Sequence, residues 1–447
     1  MGRVSINMEM AAGEAESAYL RVAFDRRLKL EFHGSKVTSD AGLLAFRELD
    51  DALGLTEMAG QVLADSKTGR HTMIAQFRQS VFGRLAGYED VNDADRLGHD
   101  PAMRWIVGGR AVTKEAASTS QMGRFETEVL TGKANLAALA DLSGQWIDAV
   151  HARRPTTVVV LDMDSSVSPT HGEQEGTAYN GPSGCTCYHP LFVFNQFGDQ
   201  ERTTLRSGNV HSAADWRSVL EPVVTQYRDR TKRRFFRGDA AFALPDLYYK
   251  YTIRLKANAV LQGHIAHLLK RSVGRPPKHV QRFYASFSYQ AKSWSRKRRV
   301  VAKVKWHSGE LYPCVGFIVT NLTRPANRVV AFYNLRGTAE QYIKEGKNAV
   351  KWTRLSCRTM KANAVPLQLH ALAYNLSNFL RTLALPDEME SWSLTTIRDK
   401  MVKIGAKVIA HARYALFQMA EVAVPHDLFR RILDMIDDLR PREPTPC

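Results

Sequence analysis

The sequence predicts an α/β protein: a layered core, interrupted by a β-rich stretch and preceded by a mostly α-helical region. Three observations carry that expectation. Apolar residues recur at helical spacing through much of residues 36–150. The texture changes at Arg154-Pro155, after which Thr156-Thr157-Val158-Val159-Val160-Leu161 is a run of the kind that forms a buried central strand. Beyond it the order is strand, hairpin, helix, strand, helix, as in an α/β layer architecture.

In chain order, residues 19–24 and 28–32 alternate like two strands. From Ser39-Asp40 the pattern turns helical, with Leu43, Leu44, Phe46, Leu49 and Leu53 in one stripe that ends near Gly54. Further helices are expected over 73–85 and from Asp93. Residues 113–126 read as helix, polar turn, helix, either a plain helical hairpin or a module whose second helix enters a DNA major groove. After the valine strand, 191–195, a Gly198-Asp199 turn and 202–206 predict a hairpin. A helix over 215–228, a strand over 234–239 and a helix over 244–250 follow. Residues 251–332 then interrupt the core with strands at 253–257, 299–306 and 311–320 and a loop at 274–278, before helix returns over 335–385. The organisation expected is 1–150, N-terminal and helical; 151–250, first part of the core; 251–332, β-rich insertion; 333–385, remainder of the core; 386–447, C-terminal helical region and tail.

The 447 residues are 44% hydrophobic and carry a formal charge of +17. That excess points to a polyanionic partner, nucleic acid being the usual one. No apolar run approaches the ~20 residues of a membrane span, and the N-terminus lacks the order of a secretory signal. Five cysteines without framework spacing fit a reducing cytosol. Cys185-x-Cys187-x-His189 lacks a fourth zinc ligand at conventional spacing.

Carboxylates supply the candidate chemistry. Asp162 and Asp164 end the valine strand and, two apart, point to the same face. Either a metal or a capped turn accounts for them. Asp239 ends a second strand after Gly238, and Asp246 reads as a helix-start acid. Glu340 and Lys347, seven apart, share a helical face, whereas Glu345 points away as a solvated partner for a lysine. Tyr333 and Arg336 complete the spacing Y-x2-R-x3-E-x6-K.

The stretches 87–97, 161–166, 171–176, 206–209 and 238–242, with that four-residue signature, resemble the bacterial insertion-sequence DDE transposases, most closely the "thirteen-eighty" family, or transposase DDE-domain group one. The resemblance runs from about residue 30 to 385. It implies an RNase H-like core with a β-rich insertion, and an N-terminal DNA-binding region. Asp164, Asp239 and Glu340 would be catalytic and hold two Mg²⁺, with Mn²⁺ as a substitute; Asp164 fits the family pattern better than Asp162, which would assist as a further metal ligand. Tyr333, Arg336 and Lys347 would position transposon-end phosphates. The implied activity is cleavage of terminal inverted repeats and strand transfer by a homodimer on double-stranded DNA in a bacterial cytoplasm, with no membrane association. The alternatives are an inactive DNA-binding relic and a nuclease of the same core.

A basic run, Lys292 to Lys305, includes Arg298 and Arg299 and lies beside Trp294 and Trp306. Cations interleaved with aromatics suit a distorted DNA end, with one indole stacking on an unpaired base; a core tryptophan is the plainer expectation for at least one of them.

Overall fold

The computed structural model describes residues 19–21, 24–25, 29–31, 35–65, 69–243, 250–271, 278–411 and 414–441. The expected helix over 244–250, Asp246, most of the 274–278 loop and most of the C-terminal tail therefore lie outside the described residues.

An eight-stranded mixed sheet organises the chain. Its strands are β1 (Val158–Ser165), β2 (Leu191–Phe194), β3 (Gln200–Thr204), β4 (Arg233–Gly238), β5 (Lys250–Leu255), β6 (Gln281–Tyr289), β7 (Arg298–Trp306) and β8 (Cys314–Thr320). They lie in the order β6-β7-β8-β5-β4-β1-β2-β3. β1, β4 and β5 are parallel to one another, and every other pairing in the sheet is antiparallel. The valine run became β1 because its interior is buried on both faces, the setting that favours an unbroken apolar strand.

The longest described helices are α1 (Leu43–Leu53), α2 (Met73–Leu85), α3 (Lys133–His151), α4 (Trp216–Gln226), α5 (Ala326–Asn334), α6 (Gly337–Glu345), α7 (Met360–Leu383) and α8 (His426–Asp437), with α2 the 73–85 helix read from the sequence. Strand alternation sorts β1 between the two faces of the sheet. Val159, Leu161 and Met163 pack with Val219, Val223 and Phe236 on the α4 side. Val160 packs with Phe235, Val329 and Val330 on the α5 side, so Asp162 and Asp164 belong to that face.

Two features depart from expectation. The 251–332 stretch is β-rich, but β5 to β8 extend the core sheet edge-on rather than forming a separate layer. Strand β6 was not foreseen. The C-terminal region is not wholly helical: Ala406–Ala410 and Ala415–Met419 pair with each other, and the first also pairs with Lys36–Thr38 near the other end of the chain. These five-residue runs have an alternating burial pattern, which is the strand period. Helices α1, α2, α3, α7 and α8 share one hydrophobic core, so the two ends of the chain fold together.

Helix α7 is buried almost all round between Ala362 and Leu380. Three of its polar residues bond the edge of the sheet and the turn before it. Asn375 receives the Gln200 N–H at 2.8 Å, Gln368 donates to the Thr203 carbonyl at 3.0 Å, and Asn378 donates to Asp199 at 2.7 Å. Beside them Glu201 accepts from Tyr227 Oη at 2.6 Å and Asn195 at 2.8 Å. Burial pushes the Glu201 carboxyl up to about 8, against those two hydrogen bonds. A raised acid favours folding fully below its unfolded value and loses that contribution as pH rises through the folded one. Glu201→Gln should therefore melt higher than the parent at pH 8.5, with the gap closing towards pH 5; thermal melts across that range check it.

Candidate active site

The register of β1 against β4 builds the site. Asp162 faces Arg237 and Met163 faces Gly238, so one further step sets Asp239 beside Asp164 at the carboxyl ends of two parallel strands. Asp239 leaves β4 and caps a short turn, accepting the Ala241 N–H at 2.9 Å. A Cβ on Gly238 would lie 3.0 Å from Phe236 and from Phe242, which accounts for the glycine.

The third acid arrives from the corner between α5 and α6. Tyr333 is in the last turn of α5, Arg336 sits at the corner, and Glu340 is in the first turn of α6. Arg336 bridges the acids: Nη2 is 2.7 Å from Asp164 Oδ2, and Nη1 is 2.8 Å from Glu340 Oε1. The Glu340 side chain is 67% exposed and reachable by a ligand. Burial pushes the Asp164 carboxyl up to about 6; Arg336 opposes this, while the charges of Asp239 and Glu340 add to it. The Tyr333 phenol is raised by its burial and senses Arg336, Asp239 and Glu340, so it faces the same cluster. Asp164 and Glu340 share one guanidinium and Asp239 adds to their mutual repulsion, although among the described residues the oxygens of the three acids do not all come within 4.8 Å of one another.

The signature helix widens after Glu345 into a π-helical turn, Gly346–Val350, that carries Lys347. Glu340 and Lys347 are therefore not separated by two plain α-turns, and the shared-face expectation is loosened. Lys347 is half-buried, and burial alone lowers its pKa. Gly346 is required there because a Cβ would stand 2.2 Å from the Trp352 ring.

The chain matches the family described as Transposase DDE domain group 1 over residues 20–441. It belongs to that family. No curated protein matches it. For this DDE-family chain, membership implies a nuclease or transposase that acts on DNA and generally uses divalent metal ions, and the large mixed sheet is consistent with a DDE domain. Among the described residues no helix is long and apolar enough to cross a membrane.

Other candidate residues of this DDE-family chain sit differently from expectation. Asp162 is fully buried, and both its oxygens accept from Arg237, at 2.7 and 2.5 Å. Glu345 is buried rather than solvated, and both its oxygens lie 2.9 Å from Arg381 of α7. Trp294 is a core residue, edge-on to Tyr289 and beneath the Arg298 guanidinium. Arg298 donates to Tyr251 Oη at 2.6 Å, and Arg299 to Ser286, to the Leu322 carbonyl and to the Arg324 carbonyl. Arg298 is buried and Arg299 half-buried, and both guanidinium groups are bonded to neighbouring groups of the chain. His189 places Nδ1 3.2 Å from the Val210 carbonyl, and Cys185, Cys187 and His189 do not converge as ligands among the described residues. Residues 113–126 do not give two helices: Arg110–Thr113 ends where the first was expected, 114–118 are irregular, and Thr119–Arg124, opened by a Ser118–Gln121 capping box, runs on into a π-helical turn from Phe125.

Sequence reading missed the supports. Arg237 was visible as a charge following Phe235-Phe236 near the end of its strand, a position that requires a partner once buried. Glu89, in the 87–97 stretch, pairs at 2.8 Å with Lys351, whose φ of +58° ends the signature helix in a left-handed conformation. Gln174 and Glu175 bind the segment leading into α7, through the Leu355 carbonyl and the Met360 N–H.

Neighbouring aspartates should separate in experiment. Asp162→Ala strands Arg237 in the core and should cost roughly 3–5 kcal/mol of stability. Asp164→Asn should fold with a near-parental melt but lose Mn²⁺ binding. Thermal denaturation and Mn²⁺ titration of both variants test the distinction.

Proposed function

We propose that this chain is a DDE transposase of the Y-x2-R-x3-E-x6-K branch. In this reading it binds the terminal inverted repeats of its insertion sequence, cleaves them in a Mg²⁺-dependent reaction and joins the 3′ ends to target DNA. The observation that carries it is the register placing Asp239 beside Asp164, with Arg336 tying Asp164 to Glu340. The order β3-β2-β1-β4-β5, with β1, β4 and β5 parallel, supports an RNase H-like core.

Asp164, Asp239 and Glu340 would hold the ions. When bound, two Mg²⁺ supply the charge that activates an attacking oxygen and steadies the leaving one. Arg336 fixes the carboxylate oxygens in place and offsets part of their repulsion. Tyr333 offers a phenolic hydrogen bond at the rim, and Lys347 a cation further along the helix for a DNA phosphate. Asp162 acts through Arg237, positioning the strand that carries Asp164. Exposed Lys292, Arg296 and Lys297 in the β6–β7 loop suit the DNA backbone. Of the two indoles, Trp306 is the better candidate for an unpaired base: it lines a cavity of about 180 Å³ with Phe283, Lys270 and Arg271. Pairing two ends calls for a homodimer.

Purified protein incubated with labelled element ends and a plasmid target should give nicked ends and joined products only with Mg²⁺. Glu340→Gln should lose both at least about 100-fold, while Trp306→Ala should keep specific binding and lose end cleavage. Specific binding with no cleavage by the parent would make the chain a DNA-binding relic. Cleavage without joining would make it a nuclease, and full cleavage by Glu340→Gln would remove Glu340 from the site.

A further inference from the structure

Away from the acid cluster, the turn between β7 and β8 carries a second set of metal-ligating side chains. His307, Glu310 and Cys314 each present one donor atom, and these atoms all lie within 4.8 Å of one another. The strand ends fix two of them: Lys305 pairs with Cys314 in register, which sets His307 just past the last rung. The turn is tight, with Gly309 at φ +83° and the Glu310 N–H directed at the His307 carbonyl at 3.4 Å. Yet Leu311 and Tyr312, between the ligands, are 73% and 82% exposed. Burial of apolar side chains therefore does not anchor this turn, although His307 and Glu310 line the cavity shared by Trp306, Lys270 and Arg271.

We propose that His307, Glu310 and Cys314 bind one Zn²⁺, closing the β7–β8 turn and steadying one wall of that cavity. An imidazole nitrogen, a carboxylate oxygen and a thiolate sulfur form a borderline-soft set, which selects zinc over magnesium. Ligand bonds of about 2.0–2.3 Å in a tetrahedron put donor atoms roughly 3.5 Å apart, and rotation of three side chains on an open turn covers the difference. Water takes the fourth position. Cys314 releases its proton to solvent on binding, so one proton appears per ion and affinity falls as pH drops. This site shares no residue with the acid cluster and stands whether or not the transposase reading holds.

Full-length, metal-stripped protein would be titrated with Co²⁺ in excess Mg²⁺, which occupies hard-oxygen sites and leaves a thiolate site to cobalt. One equivalent should produce a near-ultraviolet sulfur-to-cobalt band with tetrahedral visible bands, and one equivalent of Zn²⁺ should erase them. Cys314→Ser should abolish the band, and His307→Ala should weaken cobalt binding at least about tenfold. Cys314 is exposed, so its serine variant should fold, which circular dichroism checks. The Asp164→Asn, Glu340→Gln double variant should keep the band unchanged. No band in the parent, or a band surviving Cys314→Ser on one of the other thiols, would overturn the proposal.

Discussion

The parallel pairing of β1 with β4 is the constraint on which the candidate site depends. Every strand residue alternates faces, so a one-residue slip would turn Asp164 and Asp239 to opposite sides of the sheet. Apolar packing alone specifies this register weakly, because β1 is buried on both faces and Val158, Val159 and Val160 are interchangeable in shape. The Asp162–Arg237 pair supplies the missing specificity. Both groups are buried, they face one another in register, and a slip would leave two charges desolvated without partners. Arg237 also donates to the Phe332 carbonyl at 3.0 Å, which ties the same strand to α5 and to the corner that delivers Arg336 and Glu340.

That corner is electrostatically incomplete as the protein alone builds it. Arg336 touches two of the acids, and yet Asp164 still favours its proton more than an ordinary aspartate. More positive charge would complete the cluster, and the exposed Glu340 oxygens leave an approach for it. The supports lie far away in sequence. Glu89 holds Lys351 at the end of the signature helix, Arg381 holds Glu345 against α7, and Arg398 donates to the Asn348 and Ala349 carbonyls. Residues from the N-terminal helices, α7 and the C-terminal region thus fix the helix that bears one of three acids. The single core shared by the two ends of the chain makes this bracing continuous.

What was legible in the sequence was local. The valine run, the hairpin at 191–204, the strand before Asp239 and the helical tract after residue 335 each carry their own period; Asp164 and Asp239 lie at the ends of their strands, and Glu340 was placed by the four-residue signature. The choice between Asp162 and Asp164 was not local. Both point to one face; the family pattern favoured Asp164, and the structure adds that the residue opposite on β4, Arg237, pairs with Asp162. Glu345 was misread for the same reason: helical geometry gave its direction correctly, but not that α7 occupies that direction with an arginine. Strand β6 has half-exposed alternation that a strongly basic neighbourhood obscured, and its register against β7 could be set only by the sheet.

Trp294 shows how one composition serves two physical ends. A tryptophan among arginines and lysines suits stacking on a base, but the same ring also suits a cation–π contact in a core. Here the core takes it: the indole is buried against Tyr289 with Arg298 above it, and its carbonyl receives Gln290 Nε2 at 2.9 Å. The consequence for charge is a division of labour along the run. Arg298 and Arg299 are drawn inward to satisfy Tyr251 and the 322–324 carbonyls, whereas Lys292, Arg296 and Lys297 stay exposed on the loop that Trp294 pins. A buried aromatic thus stands in the middle of the loop, with exposed cations on either side. Cations held in place lose less conformational entropy on meeting a phosphate backbone than cations on a free loop, so in the proposed DNA-binding role the indole would assist without touching the polyanion.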